Sequence, residues 1–109
     1  MEILFIALMH LIQNPEIYHM KQVRVIGYAA VEFENTALYV SKDDYENTIT
    51  KNAVWLDIEI GEATKKYDRK FVLVEGIFDK NDLGHLKMFS GALVKIHRIE
   101  IWEEERKQK

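Results

Sequence analysis

The segment from Asp79 to Gly91 holds the residues with the most evident capacity for chemistry. Asp79, His85 and Ser90 are the residue types of a hydrolytic triad, in which a carboxylate orients a histidine that activates a serine nucleophile. The same residue types occur together by chance in many loops, and no motif around them fixes their geometry. We therefore expect no catalytic residues here, and we expect the protein not to be an enzyme.

As a loop, this segment has two interpretations. Gly84 and Gly91 permit backbone conformations that other residues resist, which suits either of them. In the first interpretation, Leu86, Met88 and Phe89 cap the hydrophobic core. In the second, side chains of the loop bind a ligand or a partner, since binding residues are often found on loops. The candidate binding residues of this loop are Asp79, His85, Lys87, Phe89 and Ser90.

Metal and cofactor sites are not indicated by the sequence. The four histidines, His10, His19, His85 and His97, lack H-x-x-x-H spacing, and the chain has no cysteine to complement them. The acidic run from Asp43 to Glu46 lacks the glycine turn and the terminal glutamate of a calcium loop. No glycine-rich phosphate-binding motif of the dinucleotide or Walker type occurs. We expect neither a bound metal nor a cofactor.

Length and composition indicate a single globular domain, residues 1–109. A chain of 109 residues with 48% apolar and 30% charged residues can bury one core and has an ordinary globular composition. The formal net charge of −3, with both signs interspersed, gives no overall attraction to nucleic acid. The lack of cysteine excludes disulfides and thiolate zinc sites and is compatible with the cytoplasm, which is the location we expect.

Residues 1–13 are almost entirely apolar and are predicted to form an N-terminal helix. Glu2 stands where a secretory leader would carry positive charge, and the run is shorter than the roughly 20 residues that cross a bilayer. Pro15 ends this helix and opens a short turn. One apolar face is expected to plug an end of the fold, while the remainder is a possible partner or dimer surface. That face consists of Leu4, Leu8, Leu11 and Ile12.

Five segments after this helix have the composition and alternation of β-strands. A glycine at Gly27, in mid-strand, predicts a bend, and the polar run that begins at Ser41 predicts a short helix capped by Ser41 at the amide of Asp44. The charged stretch Gly61 to Arg69 is predicted to hold a short helix between the third and fourth strands. The predicted strands are Val23 to Phe33, Thr36 to Val40, Ala53 to Ile58, Phe71 to Phe78 and Gly91 to Trp102.

The fourth and fifth predicted strands each contain an irregularity. Glu75 is the one charged residue in an otherwise apolar strand, which is read as central with both faces covered. The apolar parity of the last strand changes near His97 and Arg98, which predicts a β-bulge there. Residues 103–109 are a charged, solvated tail.

The order of three strands, a helical segment and two more strands predicts an all-β fold with minor α structure. Specifically, it predicts a five-stranded OB-fold-like Greek-key barrel over residues 23–102, with an N-terminal helix and a short helical segment between strands three and four. Such barrels bind ligands on strands two and three and on the flanking loops. The sequence therefore directs attention to the outer face of the predicted second and third strands.

On that outer face we expect an aromatic pair, Tyr39 and Trp55, because Leu38 and Leu56 alternate with them and face the core. Exposed rings can stack bases at on the order of 1–3 kcal/mol each. Lysines nearby can meet phosphates, but the surrounding carboxylates have the wrong sign. An open alternative is that the lead helix or a partner covers the pair. The candidate binding residues of this face are Tyr39, Lys42, Asp43, Asp44, Trp55 and Asp57.

The chain also resembles a family of small uncharacterised bacterial OB-fold-like proteins. The matching stretches are NPEIYHMKQVRVIGY, ALYVSKDDYE, KNAVWLDI, FVLVEGIFD and GHLKMFSGALVKIHRIEIW, which together cover most residues from Asn14 to Trp102. The family carries glycine near Met20 and near Lys87, where this chain does not. The resemblance implies the fold and carries no established activity.

The function expected from these observations is that of a noncatalytic protein-interaction module, in its most specific form an immunity or antitoxin-like protein. The alternative is binding of single-stranded nucleic acid or oligosaccharide through the outer face of strands two and three, which the negative charge disfavours. The expected partner is another protein, or a second copy through the N-terminal helix, and no membrane association is expected.

Overall fold

The computed structural model describes residues 2–102, in which six strands form one sheet and five of them close into a ring. The strands are β1 Leu4–Phe5, β2 Gln22–Glu32, β3 Asn35–Tyr39, β4 Ala53–Leu56, β5 Lys70–Asp79 and β6 Ala92–Ile101. The helices are α1 Leu8–Gln13, α2 Pro15–Tyr18, α3 Lys42–Glu46 and α4 Glu62–Lys65, with 3₁₀ turns at Thr50–Asn52 and His85–Lys87. The predicted charged tail, 103–109, lies outside the described residues.

The ring follows the order β2, β3, β4, β6, β5, and it closes because β5 pairs with β2. The β2–β5 ladder is antiparallel and extends from the pair Gln22 and Ile77 to the pair Ala29 and Lys70. The β4–β6 pairing is parallel, whereas the other ring pairings are antiparallel. The five predicted strands are confirmed as β2 to β6, with ends that differ by one or two residues. The fold is therefore mostly β with a few short helices.

Alternating residues of the ring strands point inward and form the main core. This alternation follows from the two-residue period of a strand. Leu38 and Leu56 are fully buried on this inner side, as the sequence predicts. The fully buried residues of the inner core are Leu11, Val23, Val25, Ala29, Leu38, Val54, Leu56, Val72, Val74, Phe78 and Leu93.

The predicted helix over residues 1–13 is wrong in its first half. Leu4–Phe5 is a strand that runs parallel to β2, and the amide of Ile6 donates to the carbonyl of Arg24 at 3.1 Å. The physical reason is that β3 pairs with β2 from Tyr28 onward, which leaves the earlier part of that edge with backbone groups that need partners. The short helix α1 then places Leu8 in the core, and Pro15 begins the one-turn helix α2 where the sequence predicts a turn.

The short helices between the strands form where the sequence predicts them. Ser41 caps α3, since its Oγ accepts a hydrogen bond from the amide of Asp44 at 3.1 Å. Helix α4, Glu62–Lys65, lies within the predicted stretch and leads to Asp68, whose Oδ1 accepts a hydrogen bond from the amide of Val31 at 2.8 Å. This segment therefore supplies hydrogen-bond partners to the distal part of β2.

The predicted bulge in the last strand is confirmed, slightly earlier than expected. Glu75 pairs with Arg98 and Ile77 pairs with Val94, so Gly76 alone lies opposite residues 95–97 of β6. A Cβ at Gly76 would approach the carbonyl oxygen of Val94 to 2.9 Å, so the glycine leaves room for the irregular strand. Because β6 contains two extra residues here, its parity is the same on both sides of the irregularity, and Leu93 and Ile99 both lie against the inner core. The change of inward parity suggested by the sequence therefore does not occur, although Ile96, within the irregular stretch, also packs against the core.

Met20 and Lys87, near which the resemblance implies glycine, both adopt left-handed backbone in this chain. The φ angles are +65° at Met20 and +57° at Lys87. Glycine populates this region freely, whereas a side chain there costs roughly 1–2 kcal/mol. This chain therefore carries backbone strain at both turns.

Close packing around Gly27 predicts a large effect of adding one methyl group. A Cβ there would lie 2.7 Å from both Leu38 Cγ and the carbonyl oxygen of Tyr39, at the point where β2 meets β3. We expect Gly27→Ala to lower the free energy of unfolding by about 2–3 kcal/mol, as overpacked cores do. Urea denaturation followed by circular dichroism measures this change.

Gly61→Ala is the matched control for this substitution, because a Cβ at Gly61 would have no atom within 4 Å. We expect the control to change the unfolding free energy by less than about 0.5 kcal/mol. Equal stabilities of the two variants would show that β2 and β3 do not approach as closely as described.

Candidate functional site

The outer face of β2, β3 and β4 is covered by the protein itself rather than open to solvent. The sequence correctly predicts which side chains of these strands point away from the inner core, since Tyr39 and Trp55 lie in a second cluster. Tyr39 is nevertheless fully buried: its ring packs at 5.5 Å against Tyr45 of α3, and its hydroxyl donates to Asn35 Oδ1 at 2.7 Å. Tyr39 thus lies on the outer side of the strand, as expected, but its ring is covered and not exposed.

Tyr45 is held in place by a charged hydrogen bond as well as by its ring contacts. Its hydroxyl donates to Glu32 Oε2, and its ring lies 5.5 Å from that of Tyr28. The hydrogen bond to the Glu32 carboxylate, assisted by burial, raises the pKa of Tyr45 to about 12. The phenol therefore remains a donor throughout the neutral range, and α3 stays fixed over the aromatic cluster.

The loop after β5 covers the remainder of this face. Phe89 is only 2% exposed and its ring lies 5.4 Å from that of Trp55, which is half-buried. Gly84, with a φ of +69°, fits against both rings, because a Cβ there would lie 2.9 Å from atoms of each. The cover over the aromatic pair comes from α3 and this loop, not from the lead helix.

The three residues of the suspected triad have separate hydrogen-bond partners. Ser90 Oγ donates to the carbonyl of Lys51 at 2.6 Å, and Asp79 Oδ1 accepts from the amide of Asn81 at 2.9 Å. His85 Nε2 instead lies 3.5 Å from Glu34 Oε1. Each side chain thus stabilises a different turn, and the structure gives no hydrogen-bonded serine–histidine pair among them.

The remaining candidate residues are spread over the surface rather than gathered in one cleft. Lys42 Nζ lies 3.9 Å from Glu46 Oε2 on α3, next to the exposed Asp43. Asp44 Oδ2 accepts from Asn52 Nδ2 at 3.3 Å. Asp57 is exposed beyond β4, and its amide donates to the carbonyl of Leu93 at 3.0 Å. The side chains of Lys42 and Asp44 thus contact neighbours in and after α3, whereas Asp43 and Asp57 are exposed.

A more compact candidate site lies where two loop tips meet. The β2–β3 turn presents Phe33, which is 83% exposed, and the β5–β6 loop presents Leu86, which is 75% exposed. The two tips are joined by the contact between Glu34 and His85. We call Phe33, Glu34, His85, Leu86 and Lys87 the loop-tip surface. Of these residues, the sequence predicts His85 and Lys87 but misses Phe33 and Leu86, because exposure cannot be read from their residue types.

A separate ionic cluster lies on the outer face of β2, β5 and β6. The sequence does not predict that its residues come together. Its centre is Glu75, which is 4% exposed. Arg24 Nε and Arg98 Nη1 each donate to Glu75 Oε2 at 2.6 Å, and His97 Nε2 lies 3.1 Å from Oε1. Arg98 Nε also donates to Glu100 Oε2 at 2.7 Å. The single sequence signal was the odd position of Glu75 in an apolar strand.

Two opposing effects determine the pKa of Glu75. Burial alone raises the pKa, but hydrogen bonds and positive charge from Arg24 and Arg98 outweigh burial and lower it below its usual value. The carboxylate is therefore ionised throughout the neutral range. It joins β2, β5 and β6 across the outer face of the sheet.

Within residues 2–102 there is no group of three or more histidine, aspartate or glutamate side chains placed to hold a metal ion. No helix in this part of the chain combines the length and apolar character needed to cross a membrane. Buried side-chain polar atoms of these residues all have hydrogen-bond partners.

No family model matches the chain, and no curated protein and no solved structure matches it either. This result is consistent with the resemblance to a family whose function is unknown. The function is therefore inferred from the residues and their geometry.

The lowered pKa of Glu75 predicts that part of the protein's stability depends on pH. A carboxylate with a lowered pKa in the folded state stabilises above the unfolded-state pKa, and this contribution disappears as pH falls through the folded-state value. At pH 7, Glu75→Gln should therefore reduce the unfolding free energy by about 1–2 kcal/mol. The effect is no larger because solvent screens the partly exposed arginines. Below pH 4 the difference from the original protein should shrink. Denaturant unfolding at several pH values measures it.

Glu59→Gln serves as the control for charge removal, because Glu59 is exposed and makes no side-chain hydrogen bond among the described residues. Its stability should track that of the original protein at each pH. A Glu75→Gln difference that stayed constant from pH 7 to pH 3 would contradict the ionic role of the carboxylate.

The loop after β5 is predicted to contain one structural and one dispensable apolar residue. Phe89→Ala removes a buried ring from Trp55 and should lower the unfolding free energy by about 3 kcal/mol, with a red shift of tryptophan fluorescence. Leu86→Ala, at a 75% exposed position three residues earlier, should change stability by less than about 0.5 kcal/mol. A large effect of Leu86→Ala would mean that Leu86 packs against the core.

Proposed function

We propose that this protein is a noncatalytic protein-interaction module that binds its partner through the loop-tip surface. The observation that carries this proposal is the pairing of the two most exposed large apolar side chains, Phe33 and Leu86, on loop tips joined by Glu34 and His85. Exposed apolar residues grouped on one surface are typical of partner binding. Isolated exposed residues need no such explanation, but these two are each next in sequence to a residue of the contact between Glu34 and His85.

Backbone strain at both tips supports the same proposal. Glu34, Leu86 and Lys87 have φ angles of +64°, +55° and +57°, in the left-handed region that residues with a Cβ avoid. Strain of this kind is concentrated at functional sites, where it fixes the direction of a side chain. Folding alone would be served as well by glycine or asparagine at these positions.

We further propose that the ring is an OB-fold-like Greek-key barrel. In a Greek key the fourth strand returns to lie beside the first, and β5 lies beside β2 after the consecutive strands β2, β3 and β4. OB-folds recognise ligands with the loops that follow their first and fourth strands. In this chain those are the β2–β3 turn and the β5–β6 loop, which contain the loop-tip surface.

In its most specific form, the proposal is an immunity or antitoxin-like protein that covers a basic site on its partner. The net charge of −3 and the exposed carboxylate of Glu34, 51% exposed beside Phe33, support an electropositive partner surface. Charge of opposite sign mainly accelerates and orients association, while buried apolar anchors supply most of the affinity.

The alternative function, binding of single-stranded nucleic acid or oligosaccharide, must now use Phe33, since Tyr39 is buried. An exposed ring can stack on a base or a sugar. Glu32 and Glu34 flank this ring with negative charge, which disfavours phosphate. A titration of affinity against salt separates the functions, because phosphate contacts give a steep dependence.

The protein-interaction proposal predicts that the loop tips are needed for partner binding and not for folding. Immobilised protein should retain a stoichiometric protein partner from a lysate of its native host. The double substitution Phe33→Ser and Leu86→Ser should weaken that partner's affinity at least about 100-fold, as for loss of two hot-spot residues. Purified partner and surface plasmon resonance measure the change, and circular dichroism verifies the fold.

Ile60→Ser is the control, because Ile60 is a 45% exposed apolar residue outside the loop tips. It should leave the affinity unchanged. Retention of the partner by the double variant with undiminished affinity, or recovery of nucleic acid instead of protein, would overturn the proposal.

A further inference from the structure

We propose that the outer face of β2, β5 and β6 holds a binding site for an oxyanion group, formed by Arg24, His97 and Arg98 above the buried Glu75. This site is separate from the loop-tip surface, and the inference does not depend on the proposed function. It rests on the geometry of the ionic cluster and on the donors that this cluster leaves unused.

The first step concerns why a carboxylate is buried on an outer sheet face at all. Glu75 is 4% exposed, and burial of a charge is offset but seldom exceeded by its ion pairs. An apolar residue at this position, between two solvated arginines, would stabilise the sheet equally well. The distinctive effect of Glu75 is therefore on orientation: it fixes two guanidinium groups side by side.

The second step concerns how closely the two arginines are brought together. Arg24 Nε and Arg98 Nη1 share one acceptor atom, Oε2 of Glu75, with both distances at 2.6 Å. Two like charges this close repel each other, and attraction to an anion between them offsets the repulsion. Glu75 supplies that anion from below, and a second anion from the solvent side would meet the same two cations.

The third step counts the donors that remain. Among the described residues, Arg24 uses its Nε toward Glu75, whereas Arg98 uses Nε toward Glu100 and Nη1 toward Glu75. Both terminal amino groups of Arg24 and Nη2 of Arg98 have no protein acceptor in residues 2–102. The side chains of Arg24 and Arg98 are 32% and 39% exposed, so a ligand can reach these groups.

The chemistry of these donors defines the ligand class. Planar guanidinium groups bind phosphate and carboxylate oxygens in pairs, and orientation by a buried partner reduces the cost of binding. Phe5 lies against the guanidinium of Arg24, with 5.6 Å between Cζ and the ring centroid, and restrains it further. The shared ligand chemistry is thus an oxyanion group, phosphate or carboxylate.

Glu100 is the competing anion of this site. It accepts from Arg98 Nε at 2.7 Å from an exposed position, so it occupies a donor that the ligand would otherwise use. With Glu75 and Glu100 both present, the two arginines are formally neutralised. Removal of the Glu100 charge should therefore strengthen ligand binding. If the cluster only stabilised the fold, removal of this charge would have no such effect.

The test is an NMR titration of the full chain with inorganic phosphate and, separately, with acetate, at constant ionic strength set by sodium chloride. Saturable shifts of the arginine Nε–H resonances of Arg24 and Arg98 are expected, with dissociation constants in the millimolar range, on the order of 1–10 mM. Arg24→Gln should weaken binding at least 5-fold, and Glu100→Gln should strengthen it about 3-fold. Tighter binding of phosphate than of acetate would identify a phosphate ligand, and the reverse a carboxylate.

Arg69→Gln is the matched control, since Arg69 is an exposed arginine that also lies beside a carboxylate, 3.5 Å from Asp68 Oδ2. It should leave both titrations unchanged. Shifts that do not saturate, shifts spread over all cationic side chains, or affinities unaffected by Glu100→Gln would overturn the proposal. The backbone amide spectrum of each variant verifies its fold, and Glu100→Gln provides the test should Arg24→Gln disturb the sheet.

Discussion

The fold depends on the pairing of β2 along both of its edges. This strand pairs with β5 along one edge, and along the other edge it pairs first with β1 and then with β3. Gly27 lies between these two neighbours, and its missing side chain lets Leu38 and the carbonyl of Tyr39 approach the strand closely. A strand with one partner would leave an open sheet, whose inner side chains could not be enclosed.

Closure of the ring also determines which surfaces remain for recognition. Residues 28–31 of β2 are buried in succession, so both faces of the strand are covered there. The inner face meets the core, while the outer face lies beneath Tyr45 and Phe89, which come from short segments between strands. The covered face offers few exposed groups, and the two surfaces for which binding is proposed, the loop-tip surface and the face around Glu75, lie outside it.

The sequence predicts well the features that follow from the two-residue period of a strand. It predicts poorly the features that depend on which distant residues pack together. The sides of Leu38 and Tyr39 follow from strand alternation, but the burial of Tyr39 depends on where α3 and a distant loop pack. The apolar residues 4–5 are compatible with a helix or a strand. They form a strand because the free edge of β2 offers backbone hydrogen-bond partners. Glu75 was recognisable as unusual, yet its partners Arg24 and Arg98 follow from strand register and a bulge.

Fixed contacts beneath the loop tips support the proposal that this small surface binds a partner. Ordering a flexible loop on association costs roughly 0.5–1.5 kcal/mol for each immobilised side chain. In this protein the β5–β6 loop is already fixed by Phe89 against Trp55 and by Gly84 between the two rings, before any partner arrives. The contact between Glu34 and His85 then joins the second tip to the first. The apolar side chains at the tips are therefore presented by a preorganised base, so that more of their burial energy remains available for affinity.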